Sequence, residues 1–144
     1  MHVATTVPTE VVSLYYQAGD RLRAQGRFVP LAAGGARLDV PGTVRELELG
    51  PQNDPTLQNL VTPGLWTVTA DRGRAVVVVT PVFQALAPPL QLVAVAQLVL
   101  TLTDRPGVGH VVFVDGAGAP VPVPRADGST GDDVSAEDYL ALRA

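Results

Sequence analysis

The chain has 144 residues, of which 47% are hydrophobic and 17% are charged, and its formal net charge is −4. This length is typical of one domain with its own core, and the apolar composition excludes intrinsic disorder. The basic side chains are all arginines and form no cluster, which argues against electrostatic binding of nucleic acid or of an anionic membrane. Cysteine is absent, which excludes disulfides, thiolate metal sites and cysteine nucleophiles.

The first half of the chain predicts a strand, a helix and a hairpin. Val11 to Tyr16 is rich in β-branched and aromatic residues, as strands are, whereas residues 27–30 fit either a short strand or a bridge. Asp39 is placed to cap a helix that begins at Val40 and stops at Gly50-Pro51. Residues 65–70 and 74–80 then flank a turn that contains Gly73. Because residues 75–79 are apolar without alternation, we expect a central strand covered on both faces.

The second half predicts a buried helix, a second hairpin and a short terminal helix. The uncharged run from Ala75 to Thr103 is cut by prolines, and Leu90 to Leu102 is too short to cross a membrane, so a buried helix is favoured. Residues 111–114 and 120–123 are expected to pair around Asp115-Gly116, with the proline-rich strand at an edge. Residues 125–133 have the composition of a flexible loop, and Ser135 begins a capping box before a helix that ends at Leu142.

These elements predict an α+β fold with one domain and a mixed β-sheet, in the order β-α-ββ-α-ββ-α. The domain is expected to span residues 11–142, between a flexible N-terminus at 1–10 and a C-terminal end at 143–144. No signal peptide is apparent at the N-terminus.

Residues capable of catalysis or metal binding are few. The two histidines, His2 and His110, supply too little material for a metal site or a triad, and Asp115 is expected to belong to a turn. The aspartates of the loop at 127–133 do not follow the spacing of a calcium loop, and Gly107-Val108-Gly109 lacks the third glycine of a dinucleotide fingerprint. We therefore predict no catalytic, cofactor-binding or metal site.

Two kinds of binding surface remain open. One is the surplus of apolar surface on the Leu90 to Leu102 helix and the strands that face it, which a protein partner or a second copy would cover. The other is a stacking surface for cell-wall sugars made by four aromatic residues: Trp66, Tyr15, Tyr16 and Tyr139. Such residues more often belong to a core. A hydrolase using Asp115 or His110 is a third and weaker hypothesis.

Taken in order, these segments resemble the GerMN domain, which occurs in bacterial sporulation and germination proteins and in an actinobacterial lipoprotein. The resemblance runs from about Val11 to Leu142 and includes the Glu46 to Pro51 helix end. Its most specific part is residues 96–103 (AQLVLTLT) with the Val111 to Gly116 hairpin. The motif positions are Gly50, Pro51, Gln97, Thr101, Thr103, Gly107, Asp115 and Gly116. Where many members carry Val-Asp-Leu-Ser, this chain has Val77-Val78-Val79-Thr80, so any role of that aspartate is absent.

The resemblance implies an α+β fold similar to ring-building motifs and a non-enzymatic role in protein assembly or signalling on the outer face of the bacterial membrane. The partner would be an envelope protein or a second copy of the chain. Membrane attachment would occur only through a lipid anchor, and the lipid-modified cysteine for it is absent from this sequence. No cofactor is implied.

Overall fold

A long two-stranded hairpin forms the first part of the computed structural model, which describes residues 8–144. β1 (Thr9–Ala18) pairs antiparallel with β2 (Arg21–Pro30) over ten residue pairs. The predicted strand at Val11 to Tyr16 is confirmed, and residues 27–30 are the end of β2 rather than an isolated bridge. Because of the arginines at positions 21, 23 and 27, β2 lacks the apolar pattern of a strand. It is stabilised instead by its pairing with β1.

The helix α1 (Val40–Glu48) begins and ends where the sequence predicts. Asp39 precedes it in an extended conformation, and its Oδ1 accepts a hydrogen bond from the Gly42 N–H at 2.7 Å. This bond satisfies one of the free N–H groups at the helix start. Gly50 has a φ of +91°, a left-handed conformation that side chains disfavour, so the helical path cannot continue beyond it.

A mixed sheet consists of four strands: β3 (Trp66–Asp71), β4 (Arg74–Val79), β5 (His110–Val114) and β8 (Asp133–Val134). They lie side by side in the order β3-β4-β5-β8. β4 and β5 are parallel and the other pairs are antiparallel. Arg72 and Gly73 both have positive φ, as a tight type I′ hairpin turn requires. β4 is internal as predicted, but only one face is fully buried, since Val76 and Val78 are half-buried.

Two helices form the crossover between the parallel strands β4 and β5. α2 (Pro81–Gln84) is a single turn, and α3 (Pro88–Thr103) is the longest helix of the described chain. Every residue of α3 from Ala94 to Leu102 is buried, because β1, α1, β5 and the C-terminal segment surround this half. Over residues 94–102 the uncharged sequence is thus explained by burial on all sides rather than by an exposed apolar face.

The predicted second hairpin is largely wrong. Val114 and Pro120 form one isolated bridge, and the next short strand, β6 (Val123–Pro124), pairs instead with β7 (Thr130–Gly131). Prolines at 120, 122 and 124 lack the N–H groups that a ladder needs, so pairing with β5 stops after one bridge. The place beside β5 is taken by β8, and residues 125–133 therefore contain strands where a flexible loop was predicted.

The last helix is a 3-10 helix at Ala136–Leu142, which has fewer residues per turn than an α-helix but lies at the predicted place. The Ser135 N–H donates to Asp138 Oδ2 at 2.9 Å, which is one half of the predicted capping box. Residues 1–7 of the predicted flexible N-terminus lie outside the described residues, while Thr9 and Glu10 already belong to β1. Arg143 forms a bridge with Leu22.

Candidate interaction surface

Gln97 and Thr101, the central polar residues of the α3 motif, are fully buried and join α3 to β1. The Tyr15 N–H donates to Thr101 Oγ1 at 3.0 Å, and the Tyr15 carbonyl accepts from Gln97 Nε2 at 2.9 Å. Gln97 Oε1 also accepts from the Leu60 N–H at 3.0 Å. The two side chains therefore satisfy backbone groups on the edge of β1 that no strand pairs with. Their role is structural.

Gly50-Pro51, the second motif, closes α1 onto a buried arginine. Arg27 is only 5% exposed, and its guanidinium donates to the Glu46 carbonyl at 2.8 Å and to the Gly50 carbonyl at 2.6 Å. The Tyr16 hydroxyl donates to the Leu47 carbonyl at 3.2 Å. These donors satisfy carbonyl groups left free at the helix end. This motif too serves the fold.

The remaining motif residues lie in turns or within the helix. Thr103 Oγ1 donates to the Val99 carbonyl at 2.7 Å, and Gly107 has a φ of +83°. Asp115 Oδ1 accepts from the N–H groups of residues 117 and 119, at 2.9 and 3.0 Å, so this side chain stabilises its own turn. Gly116 lies in that turn, where the positive φ belongs to Gly118 instead.

The structure does not bring the predicted acid–base candidates together. His110 Nδ1 lies 2.7 Å from Asp133 Oδ1, and both side chains are exposed. Asp115 stands five residues beyond His110 along β5, a separation of about 16 Å in a strand. His2 lies outside the described residues. Within residues 8–144, no group of three or more histidine, aspartate or glutamate side chains could hold a metal ion.

The four aromatic residues proposed as a stacking surface are core residues. Trp66 is 5% exposed and packs with its ring centroid 5.4 Å from that of Phe83. The three tyrosines are also buried. Burial raises the pKa of the Tyr16 and Tyr139 hydroxyls, and both donate to backbone carbonyls instead of facing solvent. Ring faces for a sugar are therefore absent at these positions.

An apolar surface does reach solvent at the start of α3, where residues 88–90 are exposed and the other members are half-buried. We call it the α3-start surface, and it comprises Pro88, Pro89, Leu90, Leu92, Val93, Pro124, Ala126 and Leu142. Two hollows of about 230 and 380 Å³ adjoin each other there and share Pro89 and Leu92. On α3 itself, the predicted apolar surface is thus confined to the first six residues, because residues 94–102 are buried.

Polar groups frame the α3-start surface. Arg21 and Arg125 line the two hollows. The Arg21 guanidinium donates to the Ala141 carbonyl, and Arg125 Nη1 donates to the Thr130 carbonyl at 2.9 Å. These bonds hold both guanidinium groups in place beside the apolar centre. A polar rim around an apolar centre is the usual anatomy of a protein-binding surface.

A third hollow, of about 240 Å³, contains three arginines but is electrostatically balanced. Arg105 Nη1 lies 2.6 Å from Glu10 Oε1, and its Nη2 donates to the Leu38 carbonyl at 2.9 Å. Arg74 pairs with Asp71 at 3.1 Å. Because two of the three guanidinium groups have carboxylate partners, this hollow offers little net charge to an anionic ligand.

In the described part of the chain, no helix is long and apolar enough to span a membrane. The molecule is thus an α+β domain whose motif residues serve the fold and which has an apolar surface with two adjoining hollows at the start of one helix.

Comparison with known proteins places this fold. No protein-family model and no curated protein matches the chain. The first GerMN domain of the sporulation protein GerM from Bacillus subtilis has a similar structure, with a TM-score of 0.57, 18% identity, and coverage of 90% of this chain and 99% of that one. The tandem GerMN domains of the same protein match with a TM-score of 0.53 and 18% identity over 92% of this chain, which spans 50% of the tandem structure.

A candidate lipoprotein from Clostridium perfringens also matches, with a TM-score of 0.50, 11% identity, and coverage of 99% of each chain. The chain therefore has the fold of the GerMN domain. The resemblance predicted from the order of motifs is confirmed at the level of the fold.

Proposed function

We propose that this chain is a non-enzymatic protein-interaction domain and that its α3-start surface is the binding site. The observation that carries the proposal is the pair of adjoining apolar hollows that share Pro89 and Leu92. Adjoining apolar hollows with a polar rim fit a binding site, because water leaves them favourably when apolar side chains of a partner fill them. The expected partner presents an apolar segment that fills both hollows.

In this proposal the chain belongs to an envelope lipoprotein of an actinobacterium and acts on the outer face of the membrane. The lipoprotein would serve sporulation, germination or envelope signalling. The support is similarity of fold to a sporulation protein and to a candidate lipoprotein. Assembly with another envelope protein agrees with the arrangement of polar side chains, since the buried ones bind backbone groups rather than form a reactive site. Neither the aromatic residues nor His110 and Asp115 favour the cell-wall or hydrolase alternatives.

Photo-crosslinking tests the proposal and identifies the partner. Benzoylphenylalanine placed at Pro89, which borders both hollows, is expected to give one discrete protein adduct in cells of the native organism. Val82 is the matched control, because it occupies the second position of α2 as Pro89 does of α3, is 60% exposed, and borders neither hollow. An adduct formed equally from Val82, or none from Pro89, would count against the α3-start surface.

A further inference from the structure

The outer edge of β2 carries backbone groups that no described residue binds. Tyr15 bonds to α3, and Gln17 exchanges hydrogen bonds of 2.8 Å with Gln58, so both direct their backbone groups away from β2. Along an antiparallel pair, residues alternately direct their backbone N–H and C=O toward the partner strand and away from it. The β2 residues opposite Tyr15 and Gln17, and every second residue along β2 from them, therefore direct these groups outward as well. Ala24, opposite Tyr15, is one of them, and so are Gly26 and Phe28 further along β2.

This edge is closed at both ends and open between them. The Leu22 carbonyl accepts from the Ala144 N–H at 2.8 Å, which occupies one end. Pro30 lacks an N–H at the other end. Only Ala24, Gly26 and Phe28 can therefore bind another strand. A free edge of this kind is a template for strand pairing.

The face of the hairpin that carries the Ala24 and Phe28 side chains has an exposed apolar stripe. Phe28 is 76% exposed and Val11, directly opposite it on β1, is 57% exposed. Next along β2 on this face come Gly26 and Ala24, both exposed. An exposed phenylalanine beside two small residues leaves room for a second large side chain above the small ones.

We propose that β2 pairs antiparallel with β2 of a second copy about a two-fold axis at Gly26. In this register Gly26 faces Gly26 of the second copy, and Phe28 faces Ala24 of the second copy. Each phenylalanine ring then lies over the small residues of the other chain, where only the Ala24 methyl group opposes it. The three outward residues of each strand supply about six hydrogen bonds across the edge.

The free backbone groups of β2 select this register. With the axis at Gly26, the three outward residues pair only with one another. Moving the axis to residue 25 places Phe28 opposite Leu22, whose carbonyl is already bound, and moving it to residue 27 places Ala24 opposite Pro30, which has no N–H. A second copy is therefore an occupant whose free backbone groups and side-chain sizes fit this edge.

Cysteine crosslinking tests the pairing and its register. The chain has no cysteine, so Gly26→Cys introduces a thiol that meets only its own copy across the axis, at a Cα separation of about 5.5 Å, within disulfide range. A Cβ at Gly26 meets only the Val11 side chain, at 3.4 Å, so the substitution fits. Ala24→Cys is the control, because Ala24 faces Phe28 and lies about 13 Å along the strand from its own copy.

Oxidation is expected to give a disulfide-linked dimer of Gly26→Cys and almost none of Ala24→Cys. Light scattering of the unmodified chain should show a mass that rises from 15.0 kDa toward twice that value with concentration. Equal crosslinking of the two variants, or a constant mass up to millimolar concentration, would overturn the inference.

Two surface variants separate this dimer from the proposed partner site. Phe28→Lys should weaken self-association at least tenfold, because it places charge on the edge, whereas Pro89→Asp should leave it unchanged. The reverse result would place self-association on the α3-start surface and contradict pairing at β2. If Pro89→Asp loses binding of the proposed partner but keeps the dimer, the α3-start surface and the β2 edge are separate sites, and the pairing of β2 stands.

Discussion

Replacing Gln97 with leucine is expected to lower the free energy of unfolding by about 3 kcal/mol or more. Leucine has similar volume but no polar atoms, so the Tyr15 carbonyl and the Leu60 N–H lose the partners that now lie at 2.9 and 3.0 Å. Gln97 is fully buried, so water cannot replace it without rearrangement. Each backbone group left unsatisfied costs about 1–3 kcal/mol. Urea denaturation followed by circular dichroism measures the change.

Gln91→Leu is the matched control for this substitution. Gln91 lies on the same helix, is half-buried, and makes only long bonds of 3.3 and 3.4 Å to the carbonyls of Phe83 and Gln84. Its loss should cost less than about 1 kcal/mol. Similar losses in the two variants would show that the buried bonds of Gln97 do not support the contact between α3 and β1.

Replacing Glu10 with alanine is expected to cost about 3–5 kcal/mol, because it leaves the buried Arg105 guanidinium without its charged partner. The Arg105 side chain is 7% exposed and that of Glu10 is 10% exposed. Glu10 Oε2 also accepts from the Leu38 N–H at 2.7 Å, so the carboxylate joins β1 to the segment before α1. The double variant Glu10→Ala with Arg105→Met removes both charges and should recover part of the loss. An unchanged free energy of unfolding in Glu10→Ala would contradict this account.

The same ion pair makes a pH-dependent contribution to stability. The hydrogen bond from Arg105 holds the pKa of the Glu10 carboxyl below its usual value of 4.5, and the N–H of Leu38 acts in the same direction. A group with a lowered pKa in the folded state stabilises it above the unfolded pKa, and this contribution is lost as the pH falls through the folded value. The difference in stability between the unmodified chain and Glu10→Gln should therefore be constant near pH 6–7 and shrink below pH 4.5. A difference that stays constant down to pH 3 would show that Glu10 is not the group responsible.

Local chemistry in the sequence was sufficient to predict several elements. Asp39 followed by proline predicted the start of α1, and Gly50-Pro51 predicted its end, because capping and breaking depend on adjacent residues. The uncharged run at Leu90 to Leu102 predicted the buried helix α3. What it did not predict is how much of the helix is buried, since that depends on the elements that surround it.

Long-range partners account for what the sequence did not predict. Gln97 and Thr101 were recognised as motif residues, but their shared target, Tyr15, is 82 and 86 residues away. For Trp66 and the tyrosines the sequence favoured a core but left a stacking surface possible, and only the packing shows that all four are buried. β8 displaced the proline-rich segment beside β5, a competition between strands that no local pattern reveals. The β2 edge was missed because its arginines mask the exposed Phe28 and Gly26.

The affinity of the crosslinked partner for Pro89→Asp decides whether the α3-start surface binds a protein. This variant places a carboxylate between the two hollows, and an acidic residue in the first turn is favourable to a helix, so α3 should persist. Calorimetric titration with the purified partner should show at least a tenfold loss of affinity for Pro89→Asp and none for Val82→Asp, which changes the same position of α2. Equal affinities for Pro89→Asp, Val82→Asp and the unmodified chain would contradict the claim.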